Sequence, residues 1–508
     1  MIARIPFEKY PGLPPLARDF RAGGTGLFPD PPTLEAAAAR GREILGARAA
    51  VPASSLRYRS EAARPLAEDL AAGRAVAVVT GQQVGLFTGP MLTLLKTFDA
   101  LRVARELTRR GVPAAAVFYA LTDDHDLEEV AHTARPGAEG VEKLVLEGAD
   151  RQNRRPVGPL AIPEKIGEIV DALRPDAKAP EAGEILEAFA RRYAPGVSYR
   201  DAFVETLFDL TEGEPLLILD PMEPPAREAA AALLRTTVDR AAEVREALRQ
   251  RETEIERLGR SLPVSSRDGA LPFFLVEDGE RRRVDDAATA RKRIDAGAAW
   301  ASADVMTRPV LKSRLLPTAA SIVGPGEIAY HAQLMPLFGV LETPRPVLLA
   351  RTHAVLLGPA ERRSIEALGI PREDLLLAIP RPEAPEPEAS HELRRITRET
   401  EERLDRLEEH LAQIDPTLSG ALENTRKKVA HQLETLSGRI RKATDSRDAL
   451  ADRRRTRLET WLLPGGTPAE RVYPPLTPML SYGRLAVEGL AAAADEEGDG
   501  VRVVDLGL

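Results

Sequence analysis

The strongest pattern along the chain is a series of short, unbroken apolar runs separated by glycine turns and helical stretches. Arg74–Thr80 (RAVAVVT) is rich in valine and lacks alternation, so it reads as a buried strand. It stops at a glycine turn, Gly81–Pro90 (GQQVGLFTGP). From Pro90 to Arg110 the residues Leu92, Leu95, Phe98, Leu101 and Leu107 recur at helical spacing. Pro90 suits the first helical position, where its missing N–H would be unpaired anyway. Gly111 and Pro113 end the helix, and Ala114–Leu121 (AAAVFYAL) follows as a second buried strand. Strand, turn, helix and strand in this order predict a right-handed parallel unit, and hence a Rossmann-like, doubly wound α/β sheet. Further strands are expected at Val141–Glu147, Pro215–Asp220, Leu271–Glu277, Ala319–Val323 and Pro346–Ala350. Two Ala- and charge-rich helical stretches between about 150 and 310 read as insertions on this sheet.

The pattern changes near Ile379. Pro380–Ser390 (PRPEAPEPEAS) is a Pro/Glu linker, and the residues after it are nearly all good helix formers. Leu393, Ile396, Leu404, Leu407, Leu411, Ile414, Leu418 and Leu422 step by three and four, and Val429, Leu433, Leu436, Ile440 and Ala443 resume the pattern. This is a coiled-coil seam. Asp415-Pro416 interrupts it, which predicts two helices in an antiparallel hairpin. A second helix of about 45 residues would span roughly 70 Å and project as an arm. The chain therefore divides into a core (1–380), a coiled coil (390–463) and a terminal segment (464–508), whose last residues, VRVVDLGL, read as a strand packing back on the core.

Composition narrows the function. The 508 residues are 43% hydrophobic and 29% charged, enough for a sizeable core. The net charge of -8, with acids and bases interspersed, argues against a nucleic-acid partner. No apolar run reaches the length of a membrane span, and the N-terminus has no apolar signal region. Cysteine is absent, which excludes disulfides, thiolate metal sites and cysteine nucleophiles; a cytoplasmic location is expected.

Three segments carry candidate chemistry. The Gly81–Pro90 turn leads into a helix N-terminus, where an anion would be stabilised. Gln82, Gln83 and Thr88 offer neutral donors there, Gly89 allows close backbone approach, and Lys96 lies within reach. The turn matches neither a Walker loop nor a dinucleotide fingerprint. Asp123, Asp124, His125 and Asp126 follow the next strand at its carboxyl end, where open α/β sheets bind ligands. His125 can serve there as a general base oriented by Asp124 or Asp126, and the same carboxylates can hold Mg2+; no dedicated metal set is expected. The third segment, Met306–Leu337, reads as a strand, a Gly324-Pro325-Gly326 turn and a helix from about Glu327. Arg308, Lys312 and Arg314 are candidate anion partners, and Tyr330 lies one turn into the helix. Beside it, His331 reads as a surface or core residue.

TGQQVGLFTGPMLTLLK, LTDDHDLEEV and TRPVLKSRLLPTAASIVGPGEIAYHAQL, with the late coiled coil and ERVYPPLTPMLSYG, resemble the bacillithiol biosynthesis cysteine-adding enzyme family, BshC. The family pattern places Gly-Glu where Thr122-Asp123 stands and Trp where His331 stands. The resemblance implies a Rossmann-like core, a coiled-coil domain, a homodimer, and a ligase that joins cysteine to glucosaminyl-malate in the last step of bacillithiol synthesis. ATP, with ADP as product, and Mg2+ are the expected helpers. Asp124, His125 and Asp126 would be catalytic, and Gln82, Gln83, Thr88, Gly89, Lys96, Arg308, Gly324, Gly326, Glu327 and Tyr330 would bind substrate. Two alternatives fit the residues alone: another ATP-dependent amino-acid ligase or nucleotidyltransferase, and a non-catalytic coiled-coil scaffold.

Overall fold

The computed structural model describes residues 3–23, 26–148, 154–264, 272–284, 286–379, 387–414 and 418–507. Most of the Pro/Glu linker and the Asp415-Pro416 break lie outside them. The core sheet has six strands: β1 (Leu56–Arg57), β2 (Val76–Gln83), β3 (Ala114–Leu121), β4 (Leu216–Leu219), β5 (Thr318–Val323) and β6 (Val347–Ala350). Their spatial order is β6-β5-β2-β3-β4-β1, all parallel except β1. Successive residues of β2 enter opposite halves of the core. Val76 and Val78 pack into one apolar cluster, and Ala77 and Val79 into the other. A strand covered on both faces needs this unbroken apolar run.

β2 continues to Gln83, three residues past the expected end, because Gly81, Gln82 and Gln83 pair with Tyr119, Ala120 and Leu121. Gly81 is required there. A Cβ at this position would lie 2.5 Å from the Tyr119 carbonyl oxygen, so Gly81→Ala must push β2 from β3. The variant is expected to lose about 1–3 kcal/mol in urea unfolding, the usual cost of an overpacked core.

Two expected sheet strands belong elsewhere. Val141–Val145 pairs antiparallel with His132–Pro136. Phe273–Glu277 lies between Glu280–Arg283 and Trp300–Ala303 in a separate antiparallel sheet. A short buried strand reads the same in either kind of sheet, so composition could not assign its partners. The stretch after Met306 begins as a helix rather than a strand.

Three helices frame the carboxyl ends of the sheet: α1 (Leu92–Arg109), α2 (Arg308–Leu315) and α3 (Pro325–Leu334). Two more, α4 (Glu388–Ile414) and α5 (Leu418–Leu462), form the arm. α4 and α5 pack together, and Arg426 of α5 bridges Asp405 and Glu408 of α4. At 1.5 Å per residue the 45 residues of α5 reach roughly 70 Å. The chain then returns to the core, where Val501–Asp505 pairs with Ala354–Leu357 and Ala3–Ile5. No helix of the described residues is long and apolar enough to cross a membrane.

Candidate functional site

The sheet order reverses at β2. From it the chain runs through β3 to β4 on one side, while β5 and β6 lie on the other. Ligands of open α/β sheets bind beyond the carboxyl ends of strands at such a reversal. A cleft lies there, in two adjoining lobes of about 370 and 310 Å³. Gln83, Asp124, Glu129, Val305 and Arg308 line both. The first lobe adds Gln82, Lys312, Gly324, Gly326, Glu327, Tyr330, Arg351 and Arg471; the second adds His125, Asp126, Phe274 and Arg281. The three motif-bearing segments thus meet in one place.

The charges of the cleft come from side chains rather than from open helix ends. Phe87 and Thr88 occupy the left-handed region (φ 52° and 72°), and this bent turn precedes α1. The Thr88 N–H donates to the Tyr193 hydroxyl at 2.8 Å, which donates to the Gly85 carbonyl at 3.2 Å. Thr88 is fully buried, and neither it nor Gly89 lines the cleft, contrary to expectation. Nor is the start of α1 an open anion site. The Met91 N–H donates to the Tyr473 carbonyl at 2.8 Å, and those of Thr93, Leu94 and Leu95 are bonded within the turn. At α3 the Glu327 carboxylate accepts the Gly324 N–H at 2.8 Å, closing that terminus with the chain's own acid.

Lys96 is also committed internally. Its ammonium is buried, 2.6 Å from Glu327 Oε2, and donates to the Gly81 carbonyl at 2.6 Å. Burial pushes this ammonium's pKa down while Glu327 opposes the shift. Burial raises the Glu327 carboxyl, but Lys96, Lys312 and the Gly324 N–H outweigh it and hold it below the ordinary range. Lys96 and Glu327 therefore brace β2 against α3 rather than wait for a ligand.

At the acidic tip, Asp124 accepts from Arg281 Nη1 at 3.1 Å and Arg308 Nη2 at 3.4 Å. Burial raises its pKa, yet Arg308, Arg281 and the His125 backbone N–H, which donates to Oδ1 at 2.8 Å, hold it far below the carboxylate range, so it is a poor proton acceptor. Arg281 Nη1 also lies 2.9 Å from His125 Nδ1. A guanidinium can only donate, so with Arg281 as its partner Nδ1 accepts and the ring proton is assigned to Nε2. His125 thus presents a donor, not the expected base. Asp123 is buried and accepts from Ser302 Oγ at 2.6 Å, so it supports the tip without lining the cleft. His331 is buried, with its pKa pushed down to about 3 by burial, and it too lies outside the cleft lining.

Lys312 and Glu129 are among the cleft residues that keep unpaired charges. Lys312 forms no ion pair among the described residues; its ammonium lies 5.1 Å over the Tyr119 ring. Burial lowers its pKa to about 8, within reach of neutral pH. Glu129, one turn past the tip, has no ion-pair partner among the described residues either. Burial and the nearby Asp126 and Asp124 carboxylates raise its pKa, against a hydrogen bond from the Gln83 side chain. Gln83 Oε1, buried in the same wall, has no partner among the described residues. Sequence reasoning passed over Glu129, Arg281, Arg351 and Arg471. A Glu in an acidic run and Arg281 in an RRR triplet look like solvated charge until the fold gathers them along the cleft.

A larger cavity of about 850 Å³ lies under the base of the arm, against Trp461 and Tyr482. None of the three motifs contributes to it. The switch-point cleft, where unpaired acid, unpaired base and orphaned acceptor converge, is the better candidate despite its smaller size.

Fold and cleft define a Rossmann-like protein with a switch-point site to which the returning terminal segment adds Arg471. The chain belongs to the BshC family. Residues 37–352 match "Bacillithiol biosynthesis BshC, N-terminal Rossmann-like domain", and 356–506 match "Bacillithiol biosynthesis BshC, C-terminal coiled-coil domain". Among relatives named "Putative cysteine ligase BshC", the protein of Solibacter usitatus is 30% identical over 76% of this chain and 76% of its own. That of Koribacter versatilis is 29% identical over 83% and 82%, and that of Symbiobacterium thermophilum 28% over 86% of each chain.

Proposed function

We propose that this protein joins the carboxylate of cysteine to the amine of glucosaminyl-malate, the last step of bacillithiol synthesis. The reading rests on the family and on one observation: the charges left unpaired in the cleft are complementary to an anionic amine substrate. Lys312 attracts the anionic end, and Glu129 and Gln83 Oε1 face the amine.

A carboxylate does not condense with an amine in water without activation. ATP supplies it by phosphoryl or adenylyl transfer to the cysteine carboxylate. The amine nitrogen attacks the activated carbonyl carbon, and the new C–N bond forms as the C–O bond to the leaving phosphate or AMP breaks. Glu129 accepts the amine proton, and a carboxylate raised above its ordinary range is the stronger base. The Nε2–H of His125 donates to oxygen as charge develops there. The donor set fits Mg-nucleotide: no group of three or more potential ligands forms a metal site among the described residues, but Mg2+ needs only one or two carboxylates beside phosphates. Asp126, at the mouth of the second lobe, would supply one.

The homodimer belongs to this reading. Ile396, Leu407 and Leu436 stand exposed on the helical arm, where a second copy would cover them. Sedimentation velocity should give twice the chain mass; a monomer at all concentrations removes the dimer.

The activity test is direct. Purified protein with glucosaminyl-malate, cysteine, ATP and Mg2+ should yield the cysteinyl amide by mass spectrometry, and omitting ATP should abolish it. No product from folded protein contradicts the assignment; product without ATP contradicts the activation route.

A further inference from the structure

The terminal segment brings to the cleft one feature that the proposed chemistry does not use. Arg471 lines the first lobe, though it lies over a hundred residues beyond the last core strand and within the part matched by the coiled-coil domain. Its side chain is exposed, and no carboxylate of the described residues pairs with it.

Its backbone is held on both sides. Glu470, just before it, is buried and accepts from Tyr10 Oη, Arg351 Nη2 and the Ala354 N–H at 2.8 Å each, and from His353 Nδ1 at 2.7 Å. Two residues after it, the Tyr473 carbonyl takes the Met91 N–H. A free guanidinium on a fixed backbone is preorganised for an anion. The charges around it are spent. Arg308 pairs with Asp124, Lys96 with Glu327 and Arg351 with Glu470. Lys312 and Arg471 are the two cations of this lobe without an ion pair among the described residues. Two free cations in one lobe match two carboxylates.

We propose that Arg471 is a specificity-determining residue which, with Lys312, seats the two carboxylates of the acceptor's malyl end. This rests on the reading of glucosaminyl-malate as acceptor. The returning segment would then complete the active site as well as brace the fold.

Calorimetric titration of the full chain tests it, with glucosaminyl-malate and, as comparison, glucosaminyl-lactate, which has one carboxylate fewer. Arg471→Gln should weaken glucosaminyl-malate binding about tenfold or more, the size of one charge-assisted contact. It should leave glucosaminyl-lactate binding within about twofold of the wild type, because the missing carboxylate is the one it would hold. In turnover the variant should raise KM for the acceptor with little change in kcat, and Arg471→Lys should recover part of the loss. Equal binding of glucosaminyl-malate by wild type and variant, or an equal loss for both ligands, overturns the proposal. So does a loss confined to ATP binding. If the wild type binds no glucosaminyl-malate, the proposed function itself fails, a distinct result.

Discussion

Replacing Glu470 by alanine is expected to cost about 3–5 kcal/mol of stability, read by urea unfolding, because it strips a fully buried carboxylate from a buried guanidinium. Its partners come from two distant parts of the chain: Tyr10 near the start, and Arg351, His353 and the Ala354 N–H just beyond β6. Phe7 and Tyr10 pack edge-on against His353, and burial, with Arg351, pushes that imidazole down to about 3. It is therefore neutral and donates through Nδ1 to the carboxylate. Glu470→Gln should cost less, since its amide oxygen still accepts.

The same residue sets an acid limit. Burial alone would raise the Glu470 carboxyl, but Arg351 and His353 hold it far below its ordinary value. The unfolded chain thus binds this proton more readily, and the stability it supplies is complete above the unfolded pKa of about 4.3. It is lost as pH falls toward the lower folded value. The alanine variant should lack this part of the acid dependence.

Glu129→Gln should have the largest effect on turnover, a fall of about 10²–10⁴-fold, the range of general-base catalysis. The side chain reaches solvent, so the melting temperature should hardly move. Turnover by the wild type should rise with pH through a value above the ordinary carboxylate range, as Glu129 loses its proton, and the variant should lose that limb. Acceptor affinity should fall as pH rises through about 8, where Lys312 becomes neutral. Lys312→Met should abolish that fall. A wild-type profile retained in Glu129→Gln would remove Glu129 as the base.

Much of the site's location was legible in the sequence, and much of its chemistry was not. β2, β3 and β5 stand out because strands covered on both faces must be continuously apolar. Their polar termini, Gln82-Gln83 and the Asp124–Asp126 tip, follow because that edge of the sheet meets solvent. The reading of helix starts as anion holes failed on particulars that propensity does not encode. Phe87 and Thr88 turn through left-handed backbone, Tyr473 approaches Met91 from almost 400 residues away, and Glu327 closes its own helix. The inversion of His125 from base to donor depends on Arg281, carried in by a separate antiparallel sheet. Such partners are long-range products of the fold.

A crystal structure of the protein soaked with glucosaminyl-malate tests the switch-point assignment most directly. The malyl carboxylates should lie against Lys312 and Arg471, with the glucosamine nitrogen within hydrogen-bond reach of Glu129. Ligand seated instead in the cavity beneath Trp461 and Tyr482, with the switch-point cleft empty, would contradict it.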